Sequence, residues 1–325
     1  MIPQKYVQRL FNTVCQKSFT DIYLLWAGKQ YRIMGHYNNR VVLIGYLNMA
    51  DGQRIMTYLK YQANMAVSEH RRPQSGAWRW QYRNQIINIR LSTVGDFRGY
   101  ESMVLRFIYP LQSLSYRMLK PEQWEKLKQM TAQAGLVLFA GPIGSGKTTT
   151  MYRLVREQYS QAVVLTIEDP VEVVEENFIQ LQVNSVAGMG YPELLRLALR
   201  HHPQVLIIGE IRDPTTAKTA IEAALSGHVV LATIHAQSAS GVIARLEQLG
   251  IEKYYVQQAV HGACYQRLVP LISRDDQGII FDLQTFDQLQ ENQGGKIGDE
   301  WKAILQAAFD QGKITQKNRQ KFWQG

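Results

Sequence analysis

The chain is poor in cysteine, in long apolar runs and, over its first third, in acidic residues. Its 325 residues include two cysteines, Cys15 and Cys264, which make neither a disulfide framework nor a CxxC zinc site. The longest apolar runs, VVLIGYL (41–47) and LVLFA (136–140), fall far short of the ~18 residues that a membrane-spanning helix needs. The amino-terminal MIPQKYVQRLFNTVCQKS has no apolar stretch closed by a small-residue cleavage site, so no signal peptide is expected. Internal repeats and low-complexity tracts are missing too. These absences together give the expectation of a soluble, cytoplasmic protein.

What is present is an ordinary globular balance, with 46% hydrophobic residues and a net charge of +9. That content can bury real cores and excludes disorder. At ~150 residues per domain, the length suggests about two domains. The charge is uneven: residues 1–112 hold 15 Lys/Arg, 11 of them Arg, against 5 Asp/Glu, a net of +10. Residues 113–325 hold 21 Lys/Arg against 22 Asp/Glu, a net of −1, so nearly all the basic character lies in front. Such a surface is either a solvated basic face or one that meets an acidic partner, a nucleotide or nucleic acid.

Residues 1–18 place Val7, Leu10, Phe11 and Val14 at helical spacing. DIYLLW, KQYRIMGHY and RVVLIGYL read as strands, separated by Gly28 and by a hairpin-like turn at Asn38-Asn39. A helix is expected over 51–64, and strand alternation returns in WRWQYR (78–83), NIRLSTV (88–94) and SMVLRFI (102–108). Pro110 and LQSLSYRMLK look like a linker, and Pro121 stands near the first turn of a helix, PEQWEKLKQMTAQA. From Leu136 onward, short β-branched runs alternate with helical segments, the signature of a mostly parallel sheet. The expected class is α/β, with a smaller α+β domain over 1–112, a linker over 113–120 and the main domain over 121–272. Residues 273–325 read as small helices or a loose tail without recognisable chemistry.

Residues 141–148 read Gly141-Pro142-Ile143-Gly144-Ser145-Gly146-Lys147-Thr148, an unbroken G-x-x-x-x-G-K-[ST] followed by Thr149. The run follows the strand LVLFA and opens the helix TTTMYRLVREQY, the context of a phosphate-binding loop. A triphosphate presents several negative charges, and glycines let the backbone curl so that N–H groups point inward at them. The following helix adds its positive end. Lys147 is expected to reach the outer phosphates of ATP and the Thr148 hydroxyl to ligate Mg²⁺. The expected core is a RecA-like P-loop fold.

Three further polar clusters stand at strand ends. AVVLTI ends at Glu168-Asp169-Pro170 with Glu172 beyond; VLIIG (205–209) ends at Glu210-Ile211-Arg212-Asp213; VVLATI (229–234) ends at His235. Ligands bind at the carboxyl ends of strands in open α/β sheets. Asp213-Pro214 also fits the cap and first position of a helix, PTTAKTAIEAAL, that Ser226-Gly227 terminates. Splitting ATP requires a metal, a group that orients water and positive charge on the transferring phosphoryl. Glu210, closing an hhhhGE strand, is expected to help hold Mg²⁺, and Glu168 to polarise the attacking water, though the two could exchange jobs. His235 is expected to hydrogen-bond the γ-phosphate or relay its presence to a neighbouring subunit. His228, at the start of the same strand, reads as structural first. Arg196 and Arg200 share a helix face, either solvated or directed at a nucleotide or subunit interface.

GPIGSGKTTTMY, IEDPVE, LRLALRHHPQVLIIGEIRDPTTAKTAIEAALSGHVVLATIH and YQRLVP, in this order, resemble the ATPases of type II secretion and type IV pilus assembly. In that family these segments contain the Walker A, aspartate-box, Walker B and histidine-box motifs. FTDIYLLW, RRPQSGAW, NIRLSTV and SMVLRF extend the resemblance more weakly into the front domain, PAS-like in the family. The resemblance implies a homo-hexameric ring, ATP at the cleft between domains, and front-domain arginines reaching the phosphates, for which Arg90 and Arg106 lie at the matching strands. It also implies a polytopic platform protein of the inner membrane as partner, with the ATPase on that membrane's inner face.

The departures narrow the resemblance. Many members carry a tetracysteine insertion after the histidine box; only Cys264 occurs nearby here, so no zinc is expected. Gln204 stands where an aspartate usually precedes the Walker B strand, and no counterpart of the large amino-terminal adaptor of longer members is expected. A short chain of this kind most resembles the version serving competence pili, which take up transforming DNA in Gram-positive bacteria. Retraction instead of assembly, a nucleic-acid motor, and a ring component that hydrolyses little are the alternatives. No aromatic-basic module of recognised spacing occurs, so direct DNA contact is not expected.

Overall fold

The computed structural model describes residues 1–37, 40–110, 117–184, 187–273, 276–292 and 297–325. The turn expected at Asn38-Asn39 and residues 113–116 of the expected linker lie outside the described residues. The chain divides into two compact units, Met1–Leu114 and Ser115–Gly325.

In the first unit, α1 (Pro3–Gln16) buries Val7, Leu10, Phe11 and Val14, the stripe that its spacing predicts. The strands β1 (Asp21–Trp26), β2 (Gln30–Tyr37), β3 (Arg40–Asn48), β4 (Gln74–Tyr82), β5 (Gln85–Gly95) and β6 (Glu101–Ile108) form an antiparallel sheet in the order β3-β2-β1-β6-β5-β4. Strict alternation along β5 and β6 turns Ile87, Ile89, Leu91, Met103, Leu105 and Phe107 onto α1 and α2 (Met49–Gln62). The second helix starts two residues before Asp51, because the Asn48 side chain caps it by accepting from the Asp51 N–H at 2.8 Å. Phe11 anchors the aromatic core, with ring centroids 5.5 Å from Trp78, 5.3 Å from Trp80 and 5.0 Å from Phe107.

The second unit runs β7 (Arg117–Met118), α3 (Glu122–Met130), β8 (Gly135–Ala140), α4 (Lys147–Gln158), β9 (Val164–Glu168), β10 (Ile179–Gln182), α5 (Tyr191–Arg200) and β11 (Val205–Ile211). It continues with α6 (Pro214–Leu225), β12 (Val229–Ile234), α7 (Gly241–Gln248), α8 (Lys253–Ala259) and β13 (Val260–Pro270). The last elements are β14 (Gln277–Thr285), α9 (Phe286–Glu291), α10 (Asp299–Asp310) and α11 (Gln316–Lys321). Its sheet has the order β10-β9-β11-β12-β8-β13-β14-β7, parallel except where β13 meets β14. Every residue of β8, β9 and β12 is buried, as a parallel sheet covered on both faces requires.

The carboxyl-terminal segment contains the expected small helices and adds a strand to them. Its GIIFDLQT run pairs with β13 from Gly262–Thr285 to Pro270–Gln277, and α10 buries Trp301, Ile304 and Leu305. Polar residues dominate the composition there, but the few apolar ones recur at strand and helix spacing, and that is enough to fold the segment onto the sheet.

One buried ion pair holds the first unit. Lys60, with no exposed surface, donates to Glu101 at 2.8 Å and to the Glu69 carbonyl. Burial pushes the Glu101 carboxyl up, but bonds from Lys60, Thr93 and His70 outweigh it and hold the group below its usual 4.5. Its stabilising contribution is therefore complete above pH 4.5 and lost as pH falls through the lower folded value. Lys60→Met strands that carboxylate. The expected cost is about 3–5 kcal/mol, read by urea unfolding on tryptophan fluorescence; a loss under ~1 kcal/mol would mean the pair is dispensable.

Candidate functional site

The connection from β8 to α4 is built on three glycines with positive φ, Gly141 at 141°, Gly144 at 76° and Gly146 at 84°. An L side chain rarely adopts such angles. A Cβ on Gly141 would also stand 2.5 Å from the Gln266 carbonyl oxygen. Pro142, Ile143 and Gly144 are exposed at the loop crest, Ser145 is buried, and Thr148 and Thr149 sit half-buried in the first turn of α4. The Ser145 hydroxyl has no partner among the described residues. A buried polar atom left this way marks a place where a further acceptor or donor fits. Lys147 donates to the Gly141 carbonyl at 2.9 Å and the Pro142 carbonyl at 3.1 Å. Burial lowers its pKa, offset in part by the charges of Glu210 and Glu172.

Sequence reasoning missed the groups that hold this loop from behind. Gln266 on β13, wholly buried, donates to the Ser145 carbonyl at 2.6 Å and accepts from the Thr150 hydroxyl at 2.8 Å. YQRLVP contributes to the resemblance as a block, and nothing in its spacing singles out the glutamine.

Beside the loop, β9 and β11 deliver the two glutamates into different environments. Glu168 ends β9 and is 3% exposed; Tyr152 of α4 donates to it, and Thr166 donates at 3.0 Å. Gln180 of β10 donates to the Tyr152 hydroxyl at 2.7 Å and so extends the chain of bonds. Burial raises the Glu168 pKa despite the two hydroxyl donors, and the nearby Glu172 charge adds to the rise. Glu210 is more open and meets a guanidinium and an imidazole. Arg212 reaches one oxygen at 2.6 Å and His235, just after β12, the other at 2.8 Å. Gly209 lets β11 close on β9, since a Cβ there would stand 3.1 Å from Glu168 Cα. Asp169 is exposed and adds its charge to the field on Arg212 and Tyr191.

The remaining sequence candidates lie elsewhere. His228 precedes β12 at the opposite sheet edge and bonds through Nδ1 to the Ala223 carbonyl at 3.0 Å, closing the end of α6. Asp213 caps the start of that helix, accepting from the Thr216 N–H at 2.9 Å. Arg196 bonds Glu193 of its own helix at 3.1 Å, and Arg200 is exposed one turn on. In the first unit, Arg90 and Arg106 are direct cross-strand neighbours on β5 and β6, and Arg106 donates to Asp21 at 2.9 Å.

With the fold and the cluster in view, residues 2–305 match a family described as "Type II/IV secretion system protein". The chain is 37% identical to the competence protein ComGA of Streptococcus pneumoniae over 96% of this chain and 96% of that one. It is 37% identical to ComGA of Bacillus subtilis over 67% of this chain and 62% of that one. Its fold is similar to that of the Legionella pneumophila ATPase DotB, with a TM-score of 0.77, 20% identity, and coverage of 97% of this chain and 94% of that one.

The burial of Glu168 has a measurable sign. Its raised pKa means that the folded state keeps this proton longer than the unfolded one, so its contribution falls as pH rises above the ordinary 4.5. Glu168→Gln should lose less melting temperature than the parent between pH 5 and pH 8. Parallel losses in thermal melts at the two pH values would remove the buried, reluctantly ionised carboxylate from the account.

Proposed function

As the chain belongs to the type II/IV secretion system protein family, we propose that it is an ATP-hydrolysing motor. It drives assembly of a type IV-like competence pilus or a type II secretion pseudopilus and thereby supports DNA uptake. The observation that carries the reading is the glycine loop between β8 and α4, set beside Glu168, Glu210 and His235 at the carboxyl edge of one parallel sheet. The competence name of the 37% identical streptococcal relative supports the choice of machine.

In this reading the loop amides of 141–146 take the phosphate oxygens. Lys147 exchanges its bonds to the Gly141 and Pro142 carbonyls for bonds to the outer phosphates. Thr148 and Glu210 offer hard oxygen donors, which suit a cation that takes oxygen ligands and retains much of its water. Mg²⁺ bound there supplies charge neutralisation on the transferring phosphoryl. Glu168, held by Tyr152 and Thr166 with a raised pKa, orients the attacking water and is a stronger proton acceptor than an exposed carboxylate. His235, already on Glu210, is placed to respond when that carboxylate changes partners. Arg212 holds the other Glu210 oxygen meanwhile.

At the level of the assembly, the proposal is a six-membered ring on the inner face of the cell membrane, working on a polytopic platform protein. Among the described residues no helix is long and apolar enough to cross a membrane, so attachment in this reading runs through that partner. Arg90 and Arg106 add positive charge from the first unit during turnover, and Arg196 and Arg200 face a neighbouring subunit. Phosphate binding and release open and close the grip on ATP, a hinge-type cycle that a ring can convert into lifting or turning.

Lys147→Ala should cut steady-state phosphate release by about 100-fold or more while melting like the parent. An unchanged rate would remove the basis of the reading. Glu210→Gln should bind Mg²⁺–ATP but hydrolyse it at least ~100-fold more slowly. Parental turnover in that variant would transfer the acidic role to Glu168 alone.

A further inference from the structure

We propose that Gln266 is a positioning residue, whose side-chain amide sets the direction of the Ser145–Gly146 peptide and with it the Gly146 N–H that grips phosphate. This rests on the phosphate-binding reading of the loop and deepens it. Three observations converge on the one side chain. Gln266 has no exposed surface, its Nε2 donates to the Ser145 carbonyl at 2.6 Å, and its Oε1 accepts from the Thr150 hydroxyl at 2.8 Å. It therefore joins the loop to the first turns of α4 from a neighbouring strand.

The physical step follows from peptide geometry. A trans peptide is planar, and its C=O and N–H point in opposite directions. Holding the Ser145 carbonyl toward β13 turns the Gly146 N–H away from β13, to the side open to a ligand. A loop with three left-handed glycines could otherwise flip this peptide, because glycine resists neither orientation. The fit is close on both glycines: a Cβ on Gly146 would stand 3.1 Å from Gln266 Nε2, and one on Gly141 would stand 2.5 Å from the Gln266 carbonyl oxygen. So the side chain guards one end of the loop and the backbone of the same residue the other.

The amide is specific in its chemistry. It must present a donor to a carbonyl and an acceptor to a hydroxyl from the same buried side chain. A carboxylate of the same shape offers only acceptors. Ionised Glu at 266 would set an oxygen against the Ser145 carbonyl oxygen and push the peptide over. Protonated Glu would restore one donor and the original bond. Burial raises the pKa of such a carboxyl, which brings the change into a range where the protein can be handled.

The experiment uses the full chain and Mg²⁺–ATP, with dissociation constants read by calorimetry at pH 8.0 and pH 5.5 and always as a ratio to the parent at the same pH. Gln266→Glu should weaken binding by about tenfold or more at pH 8.0 and recover most of that loss at pH 5.5. Thr150→Val, which keeps the donor but frees the amide to rotate, should weaken binding by about threefold at both pH values. Parental affinity in Gln266→Glu at pH 8.0 would overturn the proposal. So would a loss that is the same at both pH values and tracks a lowered melting temperature, the result expected of a merely structural residue. If Gln266→Glu does not fold, parental affinity in Thr150→Val overturns it instead. A parent chain that binds no Mg²⁺–ATP would strike the underlying phosphate-binding reading, a different and separable failure.

Discussion

Peptide N–H groups converge on one point only where successive residues leave the usual half of backbone space. In this chain Gly141, Gly144 and Gly146 do so within six residues. The rest of the second unit can be read as the set of supports that this loop needs. A buried parallel strand, β8, delivers it, α4 leads away from it with an N-terminus aimed back at the loop, and β13 backs it with Gln266. Two of these supports flank the loop in sequence, and the third, Gln266, does not. The loop lies more than a hundred residues from Gln266, so its shape is a property of the folded sheet.

The two glutamates illustrate how one sheet edge can hold two carboxyl groups in different surroundings. Glu168 is buried, which raises its pKa in spite of two hydroxyl donors. Glu210 has a guanidinium on one oxygen and an imidazole on the other. Environments that separate two neighbouring acids are what a division of labour between proton acceptor and charge holder calls for. Their roles remain part of the proposal, but the asymmetry is a matter of contacts.

The loop, the strand-end acids and the alternation of strands with helices were legible because each is written in consecutive residues. The helix caps were legible in part: Asp213-Pro214 reads directly, whereas Asn48 starts α2 two residues before Asp51 because a side chain three positions back caps it. The position of His228 could be read, and its bond to the Ala223 carbonyl fits the structural alternative. What sequence alone could not supply were partnerships across the fold. Tyr152 sits in the helix after the loop, yet its hydroxyl serves Glu168 on β9, and only the packing of α4 on the sheet brings them together. Gln266 is invisible for the same reason. The strand β14 was hidden differently, by a polar neighbourhood that outweighs a short apolar run in any compositional view.

That last strand changes what the end of the chain is for. Along nine register positions β14 covers the outer side of β13, the strand that carries Gln266. A chain cut after residue 272 would leave a row of unsatisfied amides and carbonyls in solvent, a template onto which other molecules could add strands. Trimming there would trade a well-behaved particle for a self-associating one.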